Sequence, residues 1–229
     1  MTAQDQPQVR KVSLTFDNGP DASVTPRVLD ELAKQAVGAT FFTLGKNLAV
    51  PALRKLAERA FAEGHRLGTH TYHHATPLGL LEDPGQAVNE ILAADTLLGE
   101  LGGTERLFRP FGGGKIGPHL LNRVAWDLLA ARRFTCVLWS VTAPERDRPD
   151  SWVEPTLEAC ETEQWSVVVL HDIPTGAMRH LGVFLRALQE RGVKFTQDFP
   201  SHCTPLRRGE PVGSFERLMP AEILEESSR

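Results

Sequence analysis

Short apolar runs alternate with longer amphipathic segments along most of this chain. The apolar runs predict seven strands, at 12–16, 40–44, 66–69, 107–109, 135–141, 166–170 and 193–196. The amphipathic segments predict helices near 25–36, 51–63, 85–101, 118–131, 154–162 and 178–191. In the first of these, Val28, Leu29, Leu32 and Ala36 fall on one helical face, and Gly38 ends the segment. Alternation of strands and helices builds a parallel sheet with right-handed crossovers.

Seven strands in 229 residues favour one α/β domain, built as a closed or nearly closed barrel, over two small domains. A doubly wound open sheet is the alternative. We expect an N-terminal tail over 1–11, a catalytic domain over 12–203, and a C-terminal surface tail over 204–229. The last assignment follows from the proline, glycine and charged residues of that segment.

The composition excludes several kinds of partner and site. A net charge of −4 and a pI of about 6.1 argue against nucleic acid and anionic membrane as partners. The three cysteines are far apart with no CxxC pair, which argues against a disulfide framework and a cysteine zinc site. The N-terminus lacks an apolar leader segment, and no run approaches 18 apolar residues. We therefore expect a soluble cytoplasmic protein.

Polar residues suited to chemistry fall where predicted strands end. They are Asp17, Asn18, His70, His74, Arg109, Trp139 and His171. In barrels and open α/β sheets the carboxyl ends of parallel strands share one face, where sites are built. The pattern predicts that these residues converge on one site.

Each of these segments also has a simpler interpretation. The histidines of HTYHH at i and i+4 meet one metal ion if the segment forms a helical turn, but a solvated polar loop is the alternative. His73 is out of phase with that pair. Asp17 with Asn18-Gly19 is, taken alone, typical of a turn. The loop RPFGGG lacks the GxxxxGK[ST] phosphate pattern, so it is either a flexible connection or a place where backbone N–H groups approach a ligand.

TFDNGP, HTYHH, RPFGGG, a tryptophan strand and VVLHD follow one another in this order between about residues 12 and 196. In this order the chain resembles the polysaccharide deacetylase superfamily, the NodB-homology domain of carbohydrate esterase family 4. The resemblance implies a distorted (β/α)7 barrel in a single domain.

The resemblance also implies roles for the first motifs. Asp17 matches the general base, and Asn18 stands where the family has a metal-binding aspartate. His70 and His74 match two histidine ligands of the metal. Arg109 matches an arginine that orients the base.

The remaining motifs imply the other parts of the site. Arg-Pro-Phe is one residue shorter than the family's Arg-x-Pro-Tyr, so the motif leaves two candidates for the oxyanion donor. The N–H of Phe111 is the first choice and that of Gly112 the second. His171 matches the general acid, and Leu170 matches an apolar contact for the acyl methyl group. Trp139, Leu170 and Gly112 are thereby assigned to substrate binding.

The family's fourth motif supplies an aspartate and a tryptophan that pair with the arginine and wall the pocket. In this chain TAPERDRPDSW aligns poorly with it. Asp147, Asp150 or neither takes the aspartate role, with Trp152 nearby.

The resemblance implies a metal-dependent hydrolase of a non-peptide carbon–nitrogen bond, with zinc as the first choice and cobalt, nickel or manganese as alternatives. We expect deacetylation of a small soluble N-acetylated sugar or oligosaccharide. One alternative is hydrolysis of a cyclic amide, imide or ureide. Another is a carbohydrate-binding pseudo-enzyme without metal, because the side chain of Asn18 offers only a neutral oxygen. A sugar-phosphate barrel enzyme is disfavoured by the missing phosphate loop.

Overall fold

The computed structural model describes residues 9–213 and 216–219. Its strands are β1 (Lys11–Asp17), β2 (Thr40–Thr43), β3 (Arg66–Thr69), β4 (Leu107–Phe108), β5 (Thr135–Cys136), β6 (Val141–Thr142), β7 (Trp165–His171), β8 (Lys194–Phe195), β9 (Leu206–Arg207) and β10 (Glu210–Pro211). Its helices are α1 (Thr25–Gln35), α2 (Gly45–Leu48), α3 (Pro51–Ala62), α4 (Gln86–Leu98), α5 (Arg123–Ala131), α6 (Val153–Glu161) and α7 (Leu181–Glu190). Five short 3₁₀ turns lie between them in the described residues.

The sheet runs in the order β10-β9-β5-β4-β3-β2-β1-β7-β6, with β8 paired to β1. The pairs from β5 through β1 and β7 to β6 are all parallel. Residues 137–140 join β5 at one end of this parallel part to β6 at the other. Val137 N–H donates to the carbonyl of Phe108, and Ser140 N–H donates to the carbonyl of Val167. The parallel strands therefore curl into a distorted (β/α)7 barrel, as predicted, and the doubly wound alternative is wrong.

Successive residues of β7 show where the core sits. Val168 and Leu170 pack in a cluster with residues of α1 and α7, whereas Val167 and Val169 pack with Phe42 and Phe108. Side chains along a strand alternate between faces, so one set meets the helices and the other fills the barrel. Every second residue of β7 therefore belongs to the barrel interior, where the strand ends at His171.

The C-terminal segment corrects one prediction. In place of a surface tail, β9 pairs antiparallel with β5 and with β10. Leu206 and Leu218 are fully buried, and Leu121 N–H donates to the carbonyl of Leu218. The described part of 204–219 thus covers the edge of β5 and completes the core. The sequence also favours a short helix in the last residues of the tail, and the residues after 219 lie outside the described part of the chain.

The structure also describes the cysteines and the apolar character of the helices. The cysteines Cys136, Cys160 and Cys203 are all buried and free. Within the described residues, no helix combines the length and the apolar character needed to cross a membrane.

Candidate active site

A pocket of about 270 Å³ opens at the carboxyl ends of the parallel strands. Seven of the residues predicted from the sequence line it, namely Asp17, His70, His74, Phe111, Gly112, Trp139 and His171. Asp17 and His171 are register partners at the ends of β1 and β7. The polar residues that follow predicted strands therefore converge on one pocket, as the sequence predicts.

Asp17 is a buried carboxylate held by Arg109. The guanidinium Nη1 lies 2.8 Å from Asp17 Oδ1 and 2.7 Å from Thr15 Oγ1. Arg109 is fully buried, and its other nitrogens donate to the carbonyls of Val137 and Leu138. Burial alone would raise the pKa of Asp17, but the charge and the hydrogen bond of Arg109 lower it below the usual 3.8. Asp17 is therefore ionised at neutral pH and able to accept a proton.

His70 presents one ring nitrogen towards Asp17. Its Nδ1 lies 2.8 Å from the carbonyl of Arg109, which requires an N–H there and leaves Nε2 with a free lone pair. That Nε2 lies 3.7 Å from Asp17 Oδ2. Burial lowers the pKa of His70, with the charge of Asp17 opposing it. A neutral imidazole with a free, inward-facing nitrogen is suited to bind a metal ion.

His74 is brought beside His70 by a loop and not by a helical turn, the conformation in which the i and i+4 spacing would let both rings meet one metal ion. Thr71 and His74 have φ values of 62° and 56°, so the segment leaves the helical region. The two imidazole ring centroids are nonetheless 4.9 Å apart, and the ring of His74 packs on Phe111. Burial, with the nearby His70 second, lowers the pKa of His74 to about 3, so this ring is also neutral.

Asn18 is compatible with a ligand role but does not line the pocket. Its Oδ1 is buried and accepts no hydrogen bond within the described residues. Its backbone is in the left-handed region, with φ 73°, and its carbonyl accepts from Asn47 Nδ2 at 2.9 Å. The donor set of two neutral imidazoles and one unpartnered carbonyl oxygen fits a divalent ion. No three His, Cys, Asp or Glu side chains of the described chain form a metal cluster, so any such site needs Asn18 or solvent.

His171 is oriented by a residue that sequence analysis missed. Its Nδ1 lies 2.5 Å from Oε1 of Glu145, whose side chain is fully buried. Glu145 follows β6 by three residues, so it stands at the same sheet edge as the other site residues. The search for an aspartate and a tryptophan in this segment passed over it, and the predicted strand 135–141 did not mark a strand end beside it.

The glycine-rich loop contributes backbone donors and a packed wall. Within the described residues no acceptor takes the N–H of Phe111 or of Gly112. The carbonyl of Gly112 accepts from Lys115 N–H and is 3.1 Å from His119 Nε2. A Cβ on Gly112 would come within 2.7 Å of Trp139. The loop is therefore anchored close to the pocket with its first N–H groups unpaired.

Two predicted residues lie elsewhere. Leu170 faces the helices because strand alternation turns it away, and Val169 lines the pocket in its place. Trp152 is a core residue that packs on Phe184 and donates to the carbonyl of Ala177. These positions correct the assignments made from the motifs.

Asp147 and Asp150 were both candidates for the fourth-motif aspartate. Asp147 lines the pocket, but Asp150 forms a surface ion pair with Arg179. Neither pairs with Arg109, which binds Asp17 instead.

A third buried carboxylate, Asp172, lies under the turn that follows Asp17. Its Oδ2 accepts from Thr25 Oγ1 at 2.5 Å, and a Cβ on Gly19 would collide with the carboxylate. Burial raises the pKa of Asp172 to about 7, with the Thr25 hydrogen bond opposing it. Only a glycine at position 19 lets the turn approach this acid so closely.

The sequence and the fold of this chain are similar to those of known proteins. The family model described as polysaccharide deacetylase matches residues 4–127. A peptidoglycan-N-acetylglucosamine deacetylase of Bacillus cereus is 30% identical over 190 residues, which cover 81% of this chain and 66% of that protein. A chitooligosaccharide deacetylase of Bradyrhizobium sp. is 32% identical over 205 residues, which cover 80% of this chain and 86% of that protein. The solved structure of the Bc1960 peptidoglycan N-acetylglucosamine deacetylase superposes with a TM-score of 0.68 at 29% identity, covering 81% of this chain and 85% of that one.

Proposed function

Because this chain belongs to the polysaccharide deacetylase family, we propose that it removes an acetyl group from the nitrogen of an N-acetylated sugar or short oligosaccharide in a metal-dependent reaction. Family membership confirms the recognition made from the motifs. At the level of the family, it also confirms a hydrolase of carbon–nitrogen bonds other than peptide bonds. Metal dependence, substrate size and the role of each residue are proposals for this chain.

One observation carries the proposal. Asp17 and His171 end adjacent parallel strands in one pocket, and each has its own buried partner of opposite sign or polarity. Arg109 keeps Asp17 ionised, and Glu145 fixes the ring of His171. Hydrolysis of an amide requires a base and an acid, and the separate partners of Asp17 and His171 suit the two groups to these different roles.

His70, His74 and Asn18 are the residues that would hold the ion. A bound divalent ion such as Zn²⁺ would lower the pKa of a water molecule towards ~7 and polarise the acetyl carbonyl. The same three residues are neutral, so they leave more positive charge on the ion than a carboxylate ligand would. The weaker attraction predicts a modest affinity for the metal.

The protein's own groups account for the proton transfers. Asp17 accepts a proton from the attacking water as the new carbon–oxygen bond forms. The N–H of Phe111, or of Gly112, faces the oxygen that gains negative charge. His171 then delivers a proton from Nε2 to the amine nitrogen as the carbon–nitrogen bond breaks, since its Nδ1 is engaged by Glu145. Acetate and a free amine are the products.

The pocket walls suit a small acyl group on a sugar. Val169 and Trp139 supply apolar surface beside the polar groups. The relative that acts on chitooligosaccharides supports a soluble oligosaccharide as substrate, whereas the peptidoglycan deacetylases support a polymer. We favour the oligosaccharide, and the cytoplasmic location stays a prediction.

The proposal is tested by measuring acetate release from N-acetylglucosamine and its oligomers, from peptidoglycan, and from cyclic imides. Zinc, cobalt, nickel or manganese is added to the metal-free protein. We expect release from the oligomers with at least one metal, and a loss of about 10²–10⁴-fold in kcat for both Asp17→Asn and His171→Ala. Activity on imides alone would select the cyclic amide alternative. No release with any metal, together with oligosaccharide binding, would select the pseudo-enzyme.

A further inference from the structure

One carboxylate from a helix holds the loop that carries both histidines. Glu90, in α4, accepts the N–H of Tyr72 at 3.1 Å and the N–H of His73 at 3.0 Å through Oε2. Its Oε1 lies 2.6 Å from Nδ1 of His73. The Glu90 side chain is 17% exposed, although the His73 ring that it meets is 64% exposed. A carboxylate that accepts hydrogen bonds is stronger than a neutral acceptor. His73, which is out of phase with the pair of His70 and His74, is therefore part of an anchor for this loop.

The loop needs such an anchor because its backbone is unfavourable. Thr71 and His74 are in the left-handed region, which is uncommon for residues with a Cβ and persists only where surrounding contacts impose it. Three other contacts come from α2. Gly45 N–H donates to the carbonyl of Thr71, Lys46 N–H donates to the carbonyl of Tyr72, and Lys46 Nζ donates to the carbonyl of His73 at 3.0 Å. Glu90 is the charged acceptor for the outward-turned N–H groups between the two strained residues.

We propose that Glu90 is a positioning residue for metal binding: its carboxylate fixes residues 71–74 so that His70 and His74 face one ion. The inference rests on the proposed function for the metal, but the loop contacts exist without it. Glu90 touches neither imidazole ligand, so its effect passes through the backbone of Tyr72 and His73.

Three variants separate geometry from charge. Glu90→Ala removes all three acceptors. Glu90→Gln keeps an amide oxygen for the two N–H groups, and its NH₂ can donate to Nδ1 of the other His73 tautomer. His73→Ala removes only the side-chain contact. The control is Glu158→Ala, since Glu158 is an exposed helical glutamate without a described ion-pair partner.

Two measurements are made on each protein. The zinc dissociation constant is obtained by competition with a chromophoric chelator. Amide hydrogen exchange of the peptide spanning 70–75 is followed in the metal-free protein, and circular dichroism verifies folding. We expect Glu90→Ala to raise the zinc dissociation constant about 10- to 100-fold and to speed exchange at Tyr72 and His73. Glu90→Gln should recover most of the loss, His73→Ala should fall between them, and the control should match wild type.

The outcomes distinguish this inference from the proposed function. Wild-type zinc affinity and wild-type exchange in folded Glu90→Ala would overturn the role of Glu90. A wild-type protein that takes up no zinc would overturn the proposed metal dependence and the proposal that Glu90 supports zinc binding. Exchange in the metal-free protein would then still decide whether Glu90 holds the loop.

Discussion

Glu145 Oε1 lies 2.5 Å from His171 Nδ1, and the side chain of Glu145 is fully buried. The other carboxylate oxygen, Oε2, has no hydrogen-bond partner within the described residues. The carboxylate is therefore committed to the imidazole. It fixes the tautomer with the proton on Nδ1, or stabilises the imidazolium, and leaves Nε2 for the substrate.

Replacing Glu145 by glutamine should impair catalysis more than binding. Glutamine keeps the shape of the side chain but removes the charge that supports His171 as a proton donor. We expect kcat for deacetylation to fall about 10²–10⁴-fold, with little change in KM, in steady-state assays of acetate release. Asp147→Asn removes a carboxylate from the same pocket that does not contact His171, so it should cost far less. Equal kcat values for Glu145→Gln and wild type would contradict the assignment.

Strand-end logic predicted much of the site but could not identify every partner. Asp17, His70, Arg109 and His171 were found because each follows an apolar run directly. Glu145 was missed because β6 is only two residues long and was merged with β5 in one predicted strand. Residues 135–142 form two strands because the chain crosses from one end of the parallel sheet to the other as the barrel closes. The local pattern of apolar residues does not show this crossing.

Other features depend on conformations that residue patterns do not reveal. The spacing of His70 and His74 is typical of a helix, yet the left-handed Thr71 brings them together in a loop. Leu170 was assigned to the pocket although it is adjacent in sequence to His171, which lines it, and adjacent residues of a strand face opposite sides. Counting back two residues, to Val169, would have placed the apolar wall correctly.

Restoring an acid at position 18 tests whether that residue faces the ion. Asn18→Asp supplies a charged oxygen in place of the buried, unpartnered carbonyl oxygen of the amide. We expect the zinc dissociation constant to fall about ten-fold or more, because a close opposite charge strengthens binding by more than ~1.4 kcal/mol. The affinity is measured by chelator competition. Asn89→Asp adds the same charge on the exposed side of α4 and serves as the control. If both variants bind zinc equally well, Asn18 does not contact the metal.

The C-terminal segment should contribute to stability. Leu218 is fully buried in the cluster that includes Leu121 and Leu206. Truncation to alanine removes buried methyl groups and leaves a cavity, so Leu218→Ala should lower the free energy of unfolding by about 2–5 kcal/mol in urea titrations. Leu80 is 60% exposed, and Leu80→Ala should change stability by no more than about 0.5 kcal/mol. A Leu218→Ala protein as stable as wild type would restore the prediction of a surface tail.

Asp172 should make the protein less stable as the pH rises towards neutrality. Burial raises its pKa in the folded state to about 7, from 3.8 in an unfolded chain. A raised pKa means that folding favours the protonated acid, so this contribution is complete below pH ~4 and is lost as the pH rises to ~7. Asp172→Asn imitates the neutral acid at every pH. The variant should therefore gain stability relative to wild type between pH ~4 and ~7, by at most about 4 kcal/mol, and the difference should stay constant above pH ~7. Urea denaturation of both proteins in chelator from pH 4.5 to 8.5 measures this difference and cancels the other titrating groups. A difference that does not vary with pH would show that Asp172 is already ionised in the folded protein at the acid end of this range.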